Sequence, residues 1–131
     1  MHGRLLEVEL DAPSLRDNPL GDSARRPLVA YVPPGASSRR FPAVTFLHGF
    51  TGSAKGWLSS GAFQPSVPER IDALIAQGEI PPIVALFPDG FTGVGGTQWI
   101  NAPAVGRYAD YVAEDLVAFA DANLPTIPRR E

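Results

Sequence analysis

One stretch constrains the fold of this chain more than any other: residues 42–52, which read Pro-Ala-Val-Thr-Phe-Leu-His-Gly-Phe-Thr-Gly. An apolar run of strand length ends there at His48 and Gly49, and a glycine-containing loop follows. A continuous apolar run bounded by turn residues is typical of a strand buried on both faces of a parallel sheet. In open α/β sheets, ligands bind at the turn that follows the carboxyl end of such a strand. The stretch therefore predicts a buried strand from Ala43 to His48 with a ligand site directly after it.

The remaining apolar segments alternate between strand and helix patterns. We predict strands over 5–10, 27–32 and 83–87, the first at a half-exposed edge, and helices over 67–77 and 108–123. The strand–helix–strand unit that ends at 83–87 has short connections, so its two strands should be parallel. The predicted fold class is α/β, with a mostly parallel sheet, the order β-β-β-α-β-α and a single domain over residues 1–131.

The helix over 67–77 has the clearest boundary signals. Ser66, followed three residues later by Glu69, forms a capping-box pattern, and Gly78 stands where the helix should end. Between them, apolar residues recur at helical spacing, which gives one stripe for packing against the sheet.

Charge and composition exclude several functions. A formal net charge of −3 and a pI near 5.3 give no electrostatic reason to bind nucleic acid or an anionic membrane. The absence of cysteine excludes a thiolate metal site and a cysteine nucleophile. The two histidines form no ligand cluster, the glycines at 93–96 lack the third glycine of a dinucleotide loop, and no P-loop signature occurs. We therefore expect no metal and no cofactor.

The amino terminus gives an expectation about location. Residues 1–9 lack the apolar segment of a signal peptide, and no apolar run approaches the length of a membrane span. We expect a cytoplasmic protein, with secretion left open if a further segment precedes Met1.

Three segments, in this order, resemble one known family. They are Leu-His-Gly-Phe-Thr-Gly at 47–52, Pro-Asp-Gly at 88–90, and Trp-Ile-Asn-Ala-Pro at 99–103, which precedes an acidic helix. Their order and spacing resemble the esterase D family of α/β-hydrolases, which includes S-formylglutathione hydrolases, enterochelin esterases and mycolyltransferases. The resemblance implies the N-terminal part of an α/β-hydrolase sheet. It also implies a serine carboxylesterase that acts on a small ester without a cofactor.

The same resemblance implies a role for the turn after the third strand. His48-Gly49-Phe50 matches the family's oxyanion turn, in which the backbone N–H of Phe50 donates to the developing oxyanion. Gly49 suits such a turn because a Cβ would crowd the substrate carbonyl and resist the backbone angles that the turn needs.

Neighbouring polar and aromatic residues have two interpretations each. Thr51, Trp99 and Asn101 are candidates for substrate contacts, although side chains of these types also stabilise turns and loops. His48 is better interpreted as a loop-structuring residue than as a general base, because the family's catalytic histidine comes near the chain's end. Asp89 is better interpreted as a turn residue, because in this fold the triad aspartate follows the nucleophile.

The sequence departs from the family at the nucleophile. No Gly-x-Ser-x-Gly occurs in residues 1–131, and Ser53, Ser59 and Ser60 lack the flanking glycines of a nucleophile elbow. In the family that elbow follows the strand after the second helix, and the triad aspartate and histidine come later still. We therefore expect a chain truncated before the nucleophile strand. It would supply the oxyanion-hole loop but, without a Ser-Asp-His triad, would be inactive alone.

Two other functions remain open from the sequence. A non-catalytic truncated α/β domain would act through self-association or a partner, because loss of the next strand leaves 43–48 as an unpaired apolar edge. A flavodoxin-like binding domain is less favoured, because the first strands lack a phosphate loop.

Overall fold

The computed structural model describes residues 1–129 and shows a four-stranded sheet with helices packed on both faces. The sheet strands are β1 (Arg4–Asp11), β2 (Arg25–Val32), β3 (Ala43–Thr45) and β4 (Val84–Pro88). A small hairpin follows, made of β5 (Asn101–Ala102) and β6 (Gly106–Arg107). The helices are α1 (Val67–Ala76), α2 (Tyr108–Asp110) and α3 (Leu116–Asn123), with a π-helical segment (Tyr111–Asp115) between the last two. Short 3-10 helices cover Pro13–Leu15 and Ala54–Leu58.

The sheet is mixed, in the order β1-β2-β4-β3. β3 and β4 pair in parallel, which confirms the predicted strand–helix–strand unit. β1 pairs antiparallel with β2, and β2 antiparallel with β4. The expectation of a mostly parallel sheet therefore holds only for the β3–β4 pairing. Parallel neighbours need a crossover connection, and within residues 1–129 only the segment containing α1 joins two paired strands in that way.

Alternate residues of the two central strands face opposite sides of the sheet. Leu28 of β2 and Leu86 of β4 belong to a core shared with the helical residues 108–123. Val29 and Phe87, one position further along each strand, belong to a second core under α1. This period of two is the geometry of a pleated strand, and it leaves β4 buried along its whole length.

The boundaries of α1 agree closely with the sequence signals. The N–H of Ser66 donates to Oε2 of Glu69 at 2.6 Å, and the N–H of Glu69 donates to Oγ of Ser66 at 3.4 Å, so the predicted capping box is confirmed. The helix ends at Ala76, and Gly78 follows with φ of 73°, a left-handed conformation that glycine adopts without strain.

The prediction of a strand buried on both faces over 43–48 is wrong. β3 covers only Ala43–Thr45, its three residues are all exposed, and it lies at the edge of the sheet. The residues of this stretch are mostly apolar, as a buried strand requires. A strand at the edge of a sheet nevertheless stays exposed unless other elements cover it. Within residues 1–129, β4 is the only strand paired with β3.

The second helical region matches the predicted span, with one local change. Between α2 and α3 the backbone hydrogen bonds follow the wider π-helical pattern. Such a local widening of a helix is frequent at functional sites. Tyr111 opens that segment, is fully buried and packs against the sheet core. Across residues 1–129 no helix is both long enough and apolar enough to cross a bilayer.

Candidate functional site

The turn after β3 is built around the buried ring of His48. Its Nε2 accepts a hydrogen bond from the N–H of Gly90 at 2.9 Å, so this nitrogen carries no proton. The proton of the neutral ring therefore lies on Nδ1, which donates to the carbonyl oxygen of Gly49 at 2.9 Å. Nε2 thus joins the turn after β3 to the segment after β4, and Nδ1 holds the turn itself. This is the local bonding that the sequence interpretation of His48 requires.

Phe50, which follows His48 and Gly49, has a backbone N–H without an acceptor in the described part of the chain. The carbonyl oxygen of Gly49 also accepts from the N–H of Gly52 at 3.0 Å, which closes the turn. Within residues 1–129 no acceptor pairs with the N–H of Phe50. Phe50 as a whole residue is 72% exposed. A fixed and unoccupied N–H beside open space is the feature that an oxyanion donor needs.

A second loop, residues 92–99, lies against the turn. The indole Nε1–H of Trp99 donates to the carbonyl oxygen of His48 at 2.9 Å. The N–H of Thr51 donates to the carbonyl oxygen of Gly95 at 2.7 Å. The two loops are therefore joined by hydrogen bonds on both sides of Phe50.

Residues from the two loops enclose a small cavity of about 230 Å³, lined by His48, Gly49, Phe50, Thr97, Gln98 and Trp99. Three of the residues proposed from the resemblance, Gly49, Phe50 and Trp99, thus meet at one site. Thr51 sits beside it, in the bond to Gly95 described above. The lining residues include no Asp, Glu, Lys or Arg, so the cavity suits an uncharged group of a ligand.

Asn101 is placed elsewhere. Its Nδ2 donates to Oδ1 of Asp110 at 3.0 Å, and its Oδ1 accepts from the N–H of Asp110 at 3.2 Å. The hydrogen bond from Asn101, followed by that from Arg107, holds the pKa of the Asp110 carboxyl below its usual value. The structure therefore gives Asn101 a part in organising the start of α2, and it does not line the cavity.

A buried ion pair holds together the segments that flank the site. Arg26 Nη2 and Asp89 Oδ1 lie 2.8 Å apart, with both side chains almost completely buried. Asp89 Oδ2 also accepts from the N–H of Ala54 at 2.9 Å, and Arg26 donates to the carbonyl oxygen of Phe91. Asp89 therefore fixes the segments that leave β3 and β4, as a turn residue would. The role of Arg26 was not predicted, although an arginine at the start of an apolar strand was a visible signal.

Strained backbone is concentrated at the same place. Thr51, Gln98 and Trp99 have φ of 62°, 54° and 58°, in the left-handed region that residues other than glycine rarely adopt. Such conformations persist only where surrounding contacts hold them, and they cluster at functional sites. Thr97 and Gln98 also line the cavity but were missed, since only the glycine-rich character of their loop was visible in the sequence.

The site holds a donor but no paired nucleophile and base among the residues that line it. The nearest serine along the chain, Ser53, accepts the N–H of Gly56 and caps a 3-10 helix. The chemistry available to the lining residues is therefore stabilisation of a negatively charged oxygen, in a cavity bordered by aromatic rings.

Comparison with known proteins places this geometry in context. No protein-family model matches the chain. S-formylglutathione hydrolase of Mus musculus is 29% identical over 110 residues, which are 78% of this chain and 39% of that protein. A ferulic acid esterase superimposes with a TM-score of 0.76 at 15% identity, over 95% of this chain and 46% of its own. An S-formylglutathione hydrolase from Agrobacterium tumefaciens gives a TM-score of 0.72 at 17% identity, over 96% of this chain and 46% of its own.

The fold is therefore a partial α/β-hydrolase fold of the kind found in esterases. Within that fold the chain is similar to S-formylglutathione hydrolases, which agrees with the resemblance to the esterase D family seen in the sequence. Its relatives are esterase-type hydrolases, and the chain spans less than half the length of those it matches.

Proposed function

We propose that the chain is the N-terminal portion of a serine carboxylesterase-type hydrolase and supplies one oxyanion-hole donor, the N–H of Phe50. The observation that carries the proposal is this unpaired N–H, which belongs to a residue lining the 230 Å³ cavity in a turn fixed by hydrogen bonds. A donor of this kind lowers the barrier to acyl transfer by roughly 3–4 kcal/mol.

The missing chemistry defines the rest of the proposal. The complete enzyme would cleave a small ester with a serine activated by histidine and aspartate. The names of the relatives reported above, an S-formylglutathione hydrolase and a ferulic acid esterase, support an ester-type substrate. Because residues 1–131 contain no Gly-x-Ser-x-Gly, the chain is inactive when isolated.

Three observations test the proposal. The purified chain should not hydrolyse p-nitrophenyl acetate, and a fluorophosphonate probe should not label it. Turnover by a preparation in which the probe labels no contaminating esterase would contradict the proposal. The genomic sequence after the codon of Glu131 should encode Gly-x-Ser-x-Gly within about fifteen residues, the reach of one strand and turn.

A protein extended in this way allows a matched pair of variants. Phe50→Pro removes the N–H, and we expect kcat to fall about 10²- to 10³-fold. Phe50→Ala keeps the N–H and should retain most of the activity. Equal losses in the two variants, with unchanged unfolding midpoints, would show that the side chain matters and the N–H does not.

A second candidate function is a non-catalytic domain that associates through the β3 edge. The specific observation is that this strand lies at the sheet edge with Val44 40% exposed, and that the nearby Leu47 is 41% exposed. Unpaired edge strands of this kind are templates for pairing with another chain. Size-exclusion chromatography with light scattering should show dimers or larger species. A stable monomer at all concentrations would remove this candidate.

A further inference from the structure

We propose that Trp99 and His48 are positioning residues that together set the direction of the Phe50 N–H. The inference rests on the proposed role of that N–H as an oxyanion donor. It concerns two side chains that do not donate to the oxyanion themselves. They act on the backbone that does.

The argument begins with the peptide unit that joins Gly49 to Phe50. A peptide bond is planar and trans, so the carbonyl oxygen of Gly49 and the N–H of Phe50 point in opposite directions. The carbonyl oxygen is held by Nδ1 of His48 at 2.9 Å and by the N–H of Gly52 at 3.0 Å. Fixing this oxygen therefore fixes the N–H on the other side of the same plane.

Trp99 holds the preceding peptide unit in the same way. Its Nε1–H donates to the carbonyl oxygen of His48 at 2.9 Å, and its ring lies edge-on to the imidazole with centroids 5.1 Å apart. The ring also packs closely on Gly90, where an added Cβ would come within 2.7 Å of it. Since Gly90 is the donor to Nε2 of His48, the indole contacts both the imidazole and the residue that fixes its tautomer.

The loop of residues 92–99 is itself held closed beneath the turn. The ring of Phe50, a largely exposed residue, rests on Gly95 and Gly96, where an added Cβ would approach it to 3.0 Å at each position. Thr92 Oγ1 donates to the carbonyl oxygen of Gly96 at 2.8 Å and accepts its N–H at 3.1 Å, which closes the loop beneath the ring. Trp99 and Thr51 hold left-handed conformations, so both loops need such contacts to keep their shape.

The 131-residue chain itself offers the test and a matched control. Trp99→Phe keeps an aromatic ring but removes the donor to His48. Trp57→Phe removes an indole N–H that is buried and has no partner within residues 1–129. Amide hydrogen exchange and ¹⁵N relaxation, measured by NMR, would report on the turn in each variant. Urea unfolding would report on global stability.

We expect Trp99→Phe to speed exchange of the Thr51 N–H about tenfold and to lower the backbone order at Phe50. Trp57→Phe should leave the Thr51 exchange rate and the Phe50 backbone order unchanged, with a urea unfolding midpoint similar to that of Trp99→Phe. His48→Asn, which keeps an amide donor but is too short to serve both Gly49 and Gly90, should reproduce the loss and guards against misfolding of the first variant. Wild-type exchange and order in both Trp99→Phe and His48→Asn would overturn the inference.

The inference and the proposed function fail in different experiments. An extended protein without esterase activity would remove the oxyanion role, and the NMR measurements would be unaffected. Unaltered turn dynamics would overturn the positioning role of Trp99 and His48. The comparison of Phe50→Pro with Phe50→Ala would still decide the role of the N–H.

Discussion

The two edges of the sheet differ in how they are protected. β1 exposes Glu7, Glu9 and Asp11 along its length, and these carboxylates pair with Arg25 and Lys55 at 3.1–3.6 Å. β3, at the other edge, consists of alanine, valine and threonine and carries no charge.

Charged side chains on an edge strand discourage pairing with another chain, and an apolar edge invites it. β1 therefore has the sequence of a strand that ends a sheet. β3 has the sequence of a strand with a neighbour on each side. The contrast supports the proposal that the sheet of the complete protein continues beyond β3.

The largest effect that would break this comparison is a change in association. Val44→Lys places a charge at the centre of β3, and we expect it to shift the chain from dimers or larger species to monomers in analytical ultracentrifugation. Glu7→Gln makes the same change in net charge at the β1 edge and should leave association unaltered. A mass that responds to Glu7→Gln and not to Val44→Lys would reverse the comparison.

The next effect concerns the residues that hold β1 in place. The buried carboxylate of Asp72, in α1, accepts from the N–H groups of His2 and Gly3 at 2.7–3.0 Å and from the hydroxyl of Tyr31 at 2.9 Å. Asp72→Ala leaves these donors without their acceptor and should cost roughly 1–3 kcal/mol in urea unfolding. Tyr31→Phe removes one donor and should cost less, about 0.5–1.5 kcal/mol. A larger loss of stability in Tyr31→Phe than in Asp72→Ala would show that the bonds from His2 and Gly3 to Asp72 contribute little.

The same carboxylate predicts a pH dependence. Burial opposes ionisation of Asp72, but the hydrogen bonds from Gly3 and His2 outweigh it and hold its pKa below its ordinary value. Because the folded pKa is lowered, the stabilisation is present above the unfolded pKa of about 3.9 and is lost as the pH falls through the folded value. The stability difference between wild type and Asp72→Asn should therefore narrow below about pH 4. A difference that stays constant from neutral to acidic pH would exclude this carboxylate as its source.

The sequence predicted what depends on neighbours along the chain and missed what depends on distant ones. The capping box of α1 and its glycine terminator lie within one short segment, and both are as predicted. The apolar pattern of β3 predicted burial on both faces, and its exposed edge was expected only from the family resemblance and the missing next strand. No local pattern shows which strands stand beside it. The ion pair of Arg26 with Asp89 and the bond from Trp99 to His48 join residues 63 and 51 positions apart, and no local pattern marks such partners.

The smallest expected effect tests whether the charges of β1 act on stability or on association. Arg25 is 68% exposed in its side chain and pairs with Glu9 at 3.1 Å and Asp11 at 3.6 Å. Exposed pairs of this kind contribute about 0.2–1 kcal/mol, and salt screens them. Arg25→Ala should therefore lower the free energy of unfolding by less than about 1 kcal/mol, and less again at high salt. A larger loss would mean that these charges hold β1 onto β2. A small loss is what the comparison requires, because charges that protect an edge act against other chains and not within their own fold.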